Sequence, residues 1–253
     1  MVTRKAIIVA SPLNKGQRNH LPGVEADVDN YKRFLTSPSG GYWYPNEIVV
    51  LWNPTKLEVL QKVQSAETDY AMTIFSGHGG IDNRLNKDFI TLNNSENIWI
   101  SDLSTRADRQ LAIIDACSTF VDSGMSSFIG DPGIAGIPFR SRLSADKARK
   151  IFDYMITKSG YGWTVVHSSS PGQASIDTPD GGYFSQSLLQ SSSDWAERFE
   201  PKAILPIEVA YNRSYRYIKN VLQAEQTPRI SHFNGVQCKF PFALRYSHEM
   251  HYR

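Results

Sequence analysis

The sequence has few cysteines and little net charge. It contains only two cysteines, Cys117 and Cys238, which lie far apart. A fold held together by several disulfides is therefore excluded, and we expect a reducing compartment, the cytoplasm. Lys and Arg number 27 and Asp and Glu number 25, so the formal net charge is +2. Because proteins that bind nucleic acid through its phosphates carry a clear excess of positive charge, we expect no nucleic-acid partner.

Long apolar runs are also lacking. Near the N-terminus only five apolar residues, 6–10, precede Ser11 and Pro12, and this run is shorter than the core of a signal peptide. No other run approaches the roughly 18 apolar residues that a membrane-spanning helix needs. We therefore expect a soluble intracellular protein with no membrane partner.

The chain is long enough for one or two domains, and α/β folds of about this size often form one. Its 253 residues are 41% hydrophobic, which is enough to fill a sizeable core. Since no repeat or low-complexity tract divides the sequence, we expect a single domain over residues 1–253.

Short apolar runs predict buried strands. The runs are nearly continuous rather than alternating, which is typical of strands in a parallel sheet that is covered on both faces. Four lie in the first half of the chain and two in the second: residues 6–10, 48–51, 72–75, 111–116, 163–166 and 240–244.

Helical patterns lie between these runs. Thr55 and Glu58 have the spacing of a capping box at the start of a helix. Three further helices are predicted from apolar residues at helical spacing that follow Pro22, Ser144 and Pro206. Because strands and helices alternate, the pattern favours one α/β sheet with helices on both faces.

One long irregular segment, residues 118–143, begins directly after Cys117 and is rich in glycine, proline and serine. A loop of that length in a compact domain is usually functional or disordered. We expect it to be a flexible processing or activation loop.

Two reactive side chains follow predicted strands. Residues 72–75 lead into Ser-Gly-His-Gly-Gly around His78, and residues 111–116 lead into Cys117. Ligands of an open parallel sheet bind at the carboxyl ends of its strands, and neighbouring strands lie about 4.8 Å apart. If these two strands are neighbours, an imidazole meets a thiol, as nucleophilic cysteine catalysis requires.

The glycines beside the histidine suit the same chemistry. Gly77 and Gly79 have no side chains, so a substrate carbonyl can approach the backbone closely. The amides of Gly79 and Cys117 are therefore candidates for an oxyanion hole.

Other readings of these residues stay open at this point. Cys117 could be a small buried residue, and His78 could belong to a surface loop. His167 also ends a predicted strand and competes with His78 for the role of catalytic imidazole. It lacks flanking glycines and precedes a serine run, so we interpret its segment as a wall of the substrate groove that includes Ser169 and Ser170.

The sequence does not favour a metal site. Cys238 has no histidine or glycine nearby in sequence, so we assign it to core packing. The remaining histidines show no ligand spacing with a cysteine or with one another: His20, His232, His248 and His251.

The order of these motifs resembles the caspase fold of cysteine proteases (clan CD, peptidase C14-like), and the metacaspase and bacterial caspase-like branch more than the animal caspases. Residues 75–79 (Phe-Ser-Gly-His-Gly) and 114–118 (Ile-Asp-Ala-Cys-Ser) carry the resemblance, which extends to residues 168–173, 182–189 and 226–228. The animal signature Gln-Ala-Cys-Arg-Gly and the metacaspase run His-Ser-Gly after the nucleophile are both absent. The resemblance implies a caspase-hemoglobinase fold with a mostly parallel six-stranded sheet.

The resemblance also implies roles for individual residues. His78 and Cys117 would form the catalytic dyad. The pocket for the side chain before the scissile bond would contain Asp27 and Asp115, with Ser76 beside them. Two carboxylates can hold a guanidinium and repel an Asp side chain, so we expect cleavage after Arg or Lys. The alternatives are that Asp27 interacts with a helix dipole and that Asp115 caps a strand end.

Proteases of this fold often cut themselves in the loop after the nucleophile. Arg140 and Arg142 lie in that loop and match the expected specificity. Many metacaspases need calcium, but here the acidic candidates, Asp82, Asp88 and Asp102, are scattered. We therefore expect no cofactor.

Two other functions remain open. The chain could be an inactive caspase-like scaffold, although it has both His78 and Cys117, or a CHAT/separase-like protease dedicated to one partner protein. By analogy with the family, the expected partners are a protein substrate, such as a pore-forming or regulatory protein, and an activating partner in trans.

Overall fold

The computed structural model describes residues 2–121, 128–130, 133–134, 136–198, 203–233 and 238–245. The strands are β1 (Arg4–Ser11), β2 (Ile48–Trp52), β3 (Tyr70–Gly77), β4 (Gly79–Asp82), β5 (Lys87–Thr91), β6 (Asn97–Trp99), β7 (Arg109–Asp115), β8 (Phe120–Val121), β9 (Phe128–Ile129), β10 (Gly162–His167), β11 (Ile176–Asp177), β12 (Ile204–Pro206), β13 (Arg229–Phe233) and β14 (Pro241–Leu244). The helices are α1 (Gly23–Thr36), α2 (Lys56–Gln64), α3 (Ala145–Lys158), α4 (Tyr183–Glu197) and α5 (Ile207–Asn220).

The central sheet has six strands in the order β13-β10-β7-β3-β1-β2. All neighbouring pairs are parallel except β10 and β13. The two strands that precede the histidine and the cysteine, β3 and β7, lie side by side, with Ser76 opposite Asp115. The expected mostly parallel six-stranded α/β sheet is therefore confirmed, as is the adjacency of its two central strands.

The sixth strand differs from the expectation. Residues 240–244 were expected to join the central sheet, but β14 pairs with β12 in a separate two-stranded sheet. The sixth strand is β13, whose residues are only partly buried because it lies at the edge of the sheet. An edge strand with polar residues has no apolar run, which is why the sequence pattern missed it.

Both faces of the central sheet are covered. Along β1, Ala6 and Ile8 belong to an apolar core with residues of α1, α3, α4 and α5, whereas Ile7 and Val9 belong to a second core with residues of α2, β5 and β6. The alternation of side chains along a strand places these cores on opposite faces. A four-stranded sheet in the order β6-β5-β4-β8 joins α2 on the second face.

The predicted helix starts are confirmed. Thr55 and Glu58 form the capping box, with Glu58 Oε2 accepting from the Thr55 amide at 2.7 Å. Ser144 caps α3, and Pro206 is the N-cap of α5. Helix α4 was not predicted from periodicity because many of its buried residues are polar serines, so the sequence shows no clear apolar stripe.

The loop after Cys117 lies only partly within the described residues. Residues 122–127, 131–132 and 135 lie outside them, and its flexibility stays a prediction. Of its described residues, Ile137 and Leu143 are buried in the first core. No helix among the described residues is long and apolar enough to cross a membrane.

Candidate active site

The carboxyl ends of β3 and β7 open onto one pocket. It encloses about 320 Å³, the open solvent at its mouth included. It is lined by Leu21, Val24, Asp27, Ser76, Gly77, His78, Asp115, Cys117, Ser175, Ile176, Asp177 and Gly182. The pocket therefore brings together both predicted reactive residues and all three residues that were expected to bind the substrate side chain.

The thiol of Cys117 lies at the wall of this pocket. Cys117 is 8% exposed, and the amide of Ser175 donates a hydrogen bond to its Sγ at 3.3 Å. The carbonyl oxygen of Ser175 lies 3.6 Å from the same sulfur. Burial raises the pKa of the Cys117 thiol, so the resting cysteine is protonated at neutral pH.

The imidazole of His78 is held by the main chain. Its Nε2 lies 2.6 Å from the carbonyl oxygen of Asn19, which can only accept, so Nε2 carries the hydrogen. Nδ1 is then the basic nitrogen of the neutral ring. Burial lowers the pKa of His78, and the resting imidazole is therefore neutral.

The backbone of Gly79 lies against the nucleophile loop. A Cβ at this position would meet the side chain of Ala116 at 2.8 Å and the carbonyl oxygen of Cys117 at 3.2 Å. A side chain at position 79 would therefore push the two segments apart. This closeness is what an oxyanion hole made by the amides of Gly79 and Cys117 requires, and that assignment stays a prediction.

Two buried carboxyl groups, those of Asp27 and Asp115, line the pocket and accept hydrogen bonds from the protein. Asp27 accepts from the hydroxyl of Ser76 at 2.6 Å and from the amide of Gly182 at 3.1 Å. Asp115 accepts from the hydroxyl of Ser175 at 2.7 Å and from the amide of Ser185 at 2.9 Å. Each carboxylate therefore accepts from a main-chain amide near the start of α4, and side-chain hydrogen bonds from Ser168 and Ser185 also act on Asp115.

These contacts can be compared with the alternative roles of the two acids, a helix-dipole interaction for Asp27 and a strand-end cap for Asp115. Asp27 is the fifth residue of α1, and its bonds go to β3 and to the N-cap of α4 rather than to the first turn of its own helix. Asp115 ends β7 and accepts from the amide of the third residue of α4, so this bond completes a helix start and is not a cap of its own strand.

These two carboxyl groups have no basic partner among the described residues. Among the described residues, neither Asp27 nor Asp115 forms an ion pair with a lysine or arginine. Burial raises the pKa of both carboxyls, and the charge of Asp115 raises the pKa of Asp27 further. These shifts favour the neutral form at rest, and a cationic group that entered the pocket would favour the ionised form of both.

A third carboxylate was missed by the sequence reasoning. Asp177 of β11 lines the same pocket and is 8% exposed, and its Oδ2 accepts from the amide of Gly23 at 3.1 Å. Burial, together with the charge of Asp115, raises the pKa of Asp177 to about 6. Strand β11 has only two residues, so no apolar run could have marked it as the end of a strand.

The serines that follow β10 are hydrogen-bonded to main-chain carbonyl groups of the protein. Ser169 is fully buried, and its hydroxyl donates to the carbonyl oxygen of Ala116 at 3.1 Å. Ser170 is half-buried and donates to the carbonyl oxygen of Thr227 at 2.8 Å. Ser169 therefore contacts the residue before the nucleophile, and the part of both serines in a substrate groove stays a prediction.

His167 lies away from the thiol. Of the described residues, His78 and not His167 lines the pocket with Cys117. His167 is opposite Arg229 on the neighbouring strand β13, and burial and that positive charge lower its pKa to about 3. The geometry thus favours His78 as the imidazole that serves Cys117.

The other acidic residues considered for calcium are engaged separately. Asp82 accepts from the amides of Arg84 and Leu85, and Asp88 pairs with Arg229 at 2.6 Å. Within the described residues no group of three or more His, Cys, Asp or Glu side chains could hold a metal ion. The absence of a cofactor stays a prediction.

Comparison with known proteins decides the family. A family model described as the caspase domain, peptidase C14, matches residues 3–234. The chain belongs to the caspase family. A crystal structure of caspase-1 from Spodoptera frugiperda resembles this caspase-family domain with a TM-score of 0.56 and 15% sequence identity, over 90% of this chain and 87% of that chain. The curated proteins include no match to the sequence.

Membership of the caspase family confirms the expected fold and places the chain among cysteine proteases. Proteases of this family act on proteins, so a protein substrate is the coarse expectation for this member as well.

Proposed function

We propose that this caspase-family protein is a cysteine endopeptidase that cleaves proteins after Arg, and less rapidly after Lys, in the manner of the metacaspase branch. The observation that carries the proposal is the pocket itself, in which Cys117 and His78 share one space with two buried carboxylates that have no basic partner among the described residues.

The pocket chemistry favours a guanidinium over other side chains. A planar guanidinium can donate paired hydrogen bonds to Asp27 and Asp115, which are buried and therefore interact strongly with a cation. An Asp side chain would add a negative charge to these acids and be repelled. Asp177 adds a further carboxylate to the same pocket.

The dyad then performs acyl transfer in two steps. Nδ1 of His78 accepts the thiol proton of Cys117, and the thiolate attacks the scissile carbonyl carbon to form a tetrahedral intermediate. The amides of Gly79 and Cys117 bind its oxyanion. The imidazolium gives its proton to the leaving amine as the peptide bond breaks, and His78 then activates water to hydrolyse the thioester.

The resting site needs a rearrangement before a peptide can bind. Both the amide nitrogen and the carbonyl oxygen of Ser175 contact the sulfur of Cys117. A substrate carbonyl must displace this contact to reach the thiol. We propose that cleavage in the loop after Cys117, or a protein partner in trans, moves the segment that contains β11.

The arginines proposed for self-cleavage are accessible. Arg140 and Arg142 are both exposed. The carbonyl oxygen of Arg140 accepts from the hydroxyl of Ser39, three residues beyond the end of α1. Since α1 has 14 residues, a rise of about 1.5 Å per residue puts its end roughly 20 Å from the start that faces the pocket. We therefore propose that one molecule cuts another.

Peptide hydrolysis tests the function directly. Purified protein is incubated with fluorogenic peptides that differ only in having Arg, Lys or Asp before the scissile bond, with and without calcium. We expect the order Arg, Lys, Asp with no need for calcium. Faster turnover of the Asp peptide would contradict the pocket assignment, and equal turnover by Cys117→Ala would contradict the nucleophile.

A further inference from the structure

A buried glutamine connects the C-terminal part of the chain to the pocket. Gln226 has no exposed surface, and its side chain makes three hydrogen bonds. Its Nε2 donates to the carbonyl oxygen of Ser168 at 3.0 Å and to the hydroxyl of Ser175 at 3.1 Å. Its Oε1 accepts from the amide of Ile176 at 3.1 Å.

These partners fix which way the amide group points. The carbonyl of Ser168 can only accept, and the amide of Ile176 can only donate. A flipped side chain would place oxygen against oxygen and nitrogen against nitrogen, so only one orientation satisfies both. In that orientation Gln226 presents a donor, not an acceptor, to the hydroxyl of Ser175.

The hydroxyl of Ser175 is therefore oriented as well. Because its oxygen accepts from Gln226, its own hydrogen is directed to Oδ1 of Asp115, 2.7 Å away. A donated hydrogen bond stabilises the ionised form of a carboxylate, and this bond lowers the otherwise raised pKa of Asp115. The chain of donors thus runs from Gln226 through Ser175 to an acid of the pocket.

We propose that Gln226 is a positioning residue for specificity, which keeps Asp115 ready to receive a cationic side chain by holding Ser175 as its donor. The proposal rests on the proposed cleavage after Arg. Gln226 contacts neither the thiol nor the imidazole in any of its three bonds, and of its partners the Ser175 hydroxyl is the one that donates to Asp115.

The test compares an Arg peptide with the same peptide containing citrulline, which has the shape of Arg without its charge. The ratio of the two kcat/KM values measures recognition of charge. Gln226→Leu removes the donor, and we expect the ratio to fall about tenfold, the size of effect that loss of a hydrogen bond to a charged group has. Gln226→Met keeps the length of the side chain but has no donor, so the ratio should also fall.

Gln110→Leu is the matched control. Gln110 is half-buried at the start of β7, and its side chain binds Ser104, Thr105 and Ala107, far along the strand from the pocket. We expect Gln110→Leu to lower thermal stability and to leave the ratio of the two kcat/KM values unchanged. Alkylation of Cys117 by iodoacetamide reports whether each variant retains its site.

A double-mutant cycle separates positioning from mere structural support. If Gln226 acts through Ser175, then Ser175→Ala and Gln226→Leu each lower the ratio and the double variant is no worse than Ser175→Ala. Additive losses would overturn the proposal, as would an unchanged ratio in a folded Gln226→Met protein. A parent protein that cleaves the Asp peptide faster than the Arg peptide would instead refute the proposed function, so the two failures are distinguishable.

Discussion

Ser76 of β3 lies opposite Asp115 of β7 in the sheet, yet its hydroxyl donates to Asp27 of α1. The hydroxyl donors of Asp115 include Ser175, which does not bond to Asp27. Asp27 and Asp115 thus share anchors at the start of α4 but take hydroxyl donors from different segments, one near the histidine and the other beside the cysteine. Substitutions at the two acids should consequently be separable in their effects.

Removal of either cysteine distinguishes the nucleophile from a core residue. We expect Cys117→Ala to abolish peptide hydrolysis, whereas Cys238→Ala keeps it, because Cys238 is fully buried and bonds to the carbonyl oxygen of Tyr161. Active-site labelling with a peptide chloromethyl ketone checks both variants. Labelling of Cys117→Ala to the level of the parent would contradict the assignment.

A single methyl group should disturb the acidic pocket. Gly182 has φ −67° and ψ 140°, which alanine adopts without strain, but its added Cβ would lie 2.4 Å from Oδ2 of Asp115. We expect Gly182→Ala to reduce kcat/KM for Arg peptides at least tenfold. Circular dichroism should show a folded protein. Unchanged kinetics would mean that Asp115 does not contact the substrate side chain.

The raised pKa of Asp177, about 6, predicts a specific pH dependence of stability. Between about pH 4 and 6 this carboxyl is protonated in the folded chain and ionised in the unfolded chain. Its contribution is therefore fully present below pH 4 and lost as the pH rises through 6, by about 3 kcal/mol for a shift of this size.

Comparison with Asp177→Asn separates this contribution, together with the effect of Asp177 on the pKa of Asp27, from those of the other groups. The histidines act in the opposite sense, since burial lowers the pKa of His78 and His167. We expect the free energy of unfolding of the parent, relative to the variant, to decrease from pH 4 to pH 6 and then stay level. Urea titrations at each pH measure it, and a difference independent of pH would contradict the assigned pKa.

Self-cleavage in trans predicts second-order kinetics. Because Arg140 is held near the far end of α1, we expect the rate of processing to rise with protein concentration. Active protein should also cut the Cys117→Ala chain, and Arg140→Ala combined with Arg142→Ala should prevent it. Mass spectrometry of the fragments identifies the bond. A rate per molecule that is independent of concentration would favour cleavage within one chain.

Much of the fold and half of the pocket can be predicted from the sequence. Strands β3 and β7 are central and covered on both faces, so their apolar runs are continuous. Because these runs mark where each strand ends, the sequence alone shows that His78 and Cys117 follow the two strands. Asp27 and Asp115 follow from the family resemblance. Asp177 does not, and Gln226 lies in a matching segment without an assigned role, because the contacts of both residues in the site depend on how distant loops pack.

The acids of the pocket also complete the starts of two helices. Asp177 binds the first amide of α1, and Asp27 and Asp115 bind amides at the N-cap and third residue of α4. Those amides have no partner within their own helices. Exchanging an acid to accept a different substrate would therefore leave a helix end unsatisfied, so a change of specificity in this protein requires a compensating change in the scaffold.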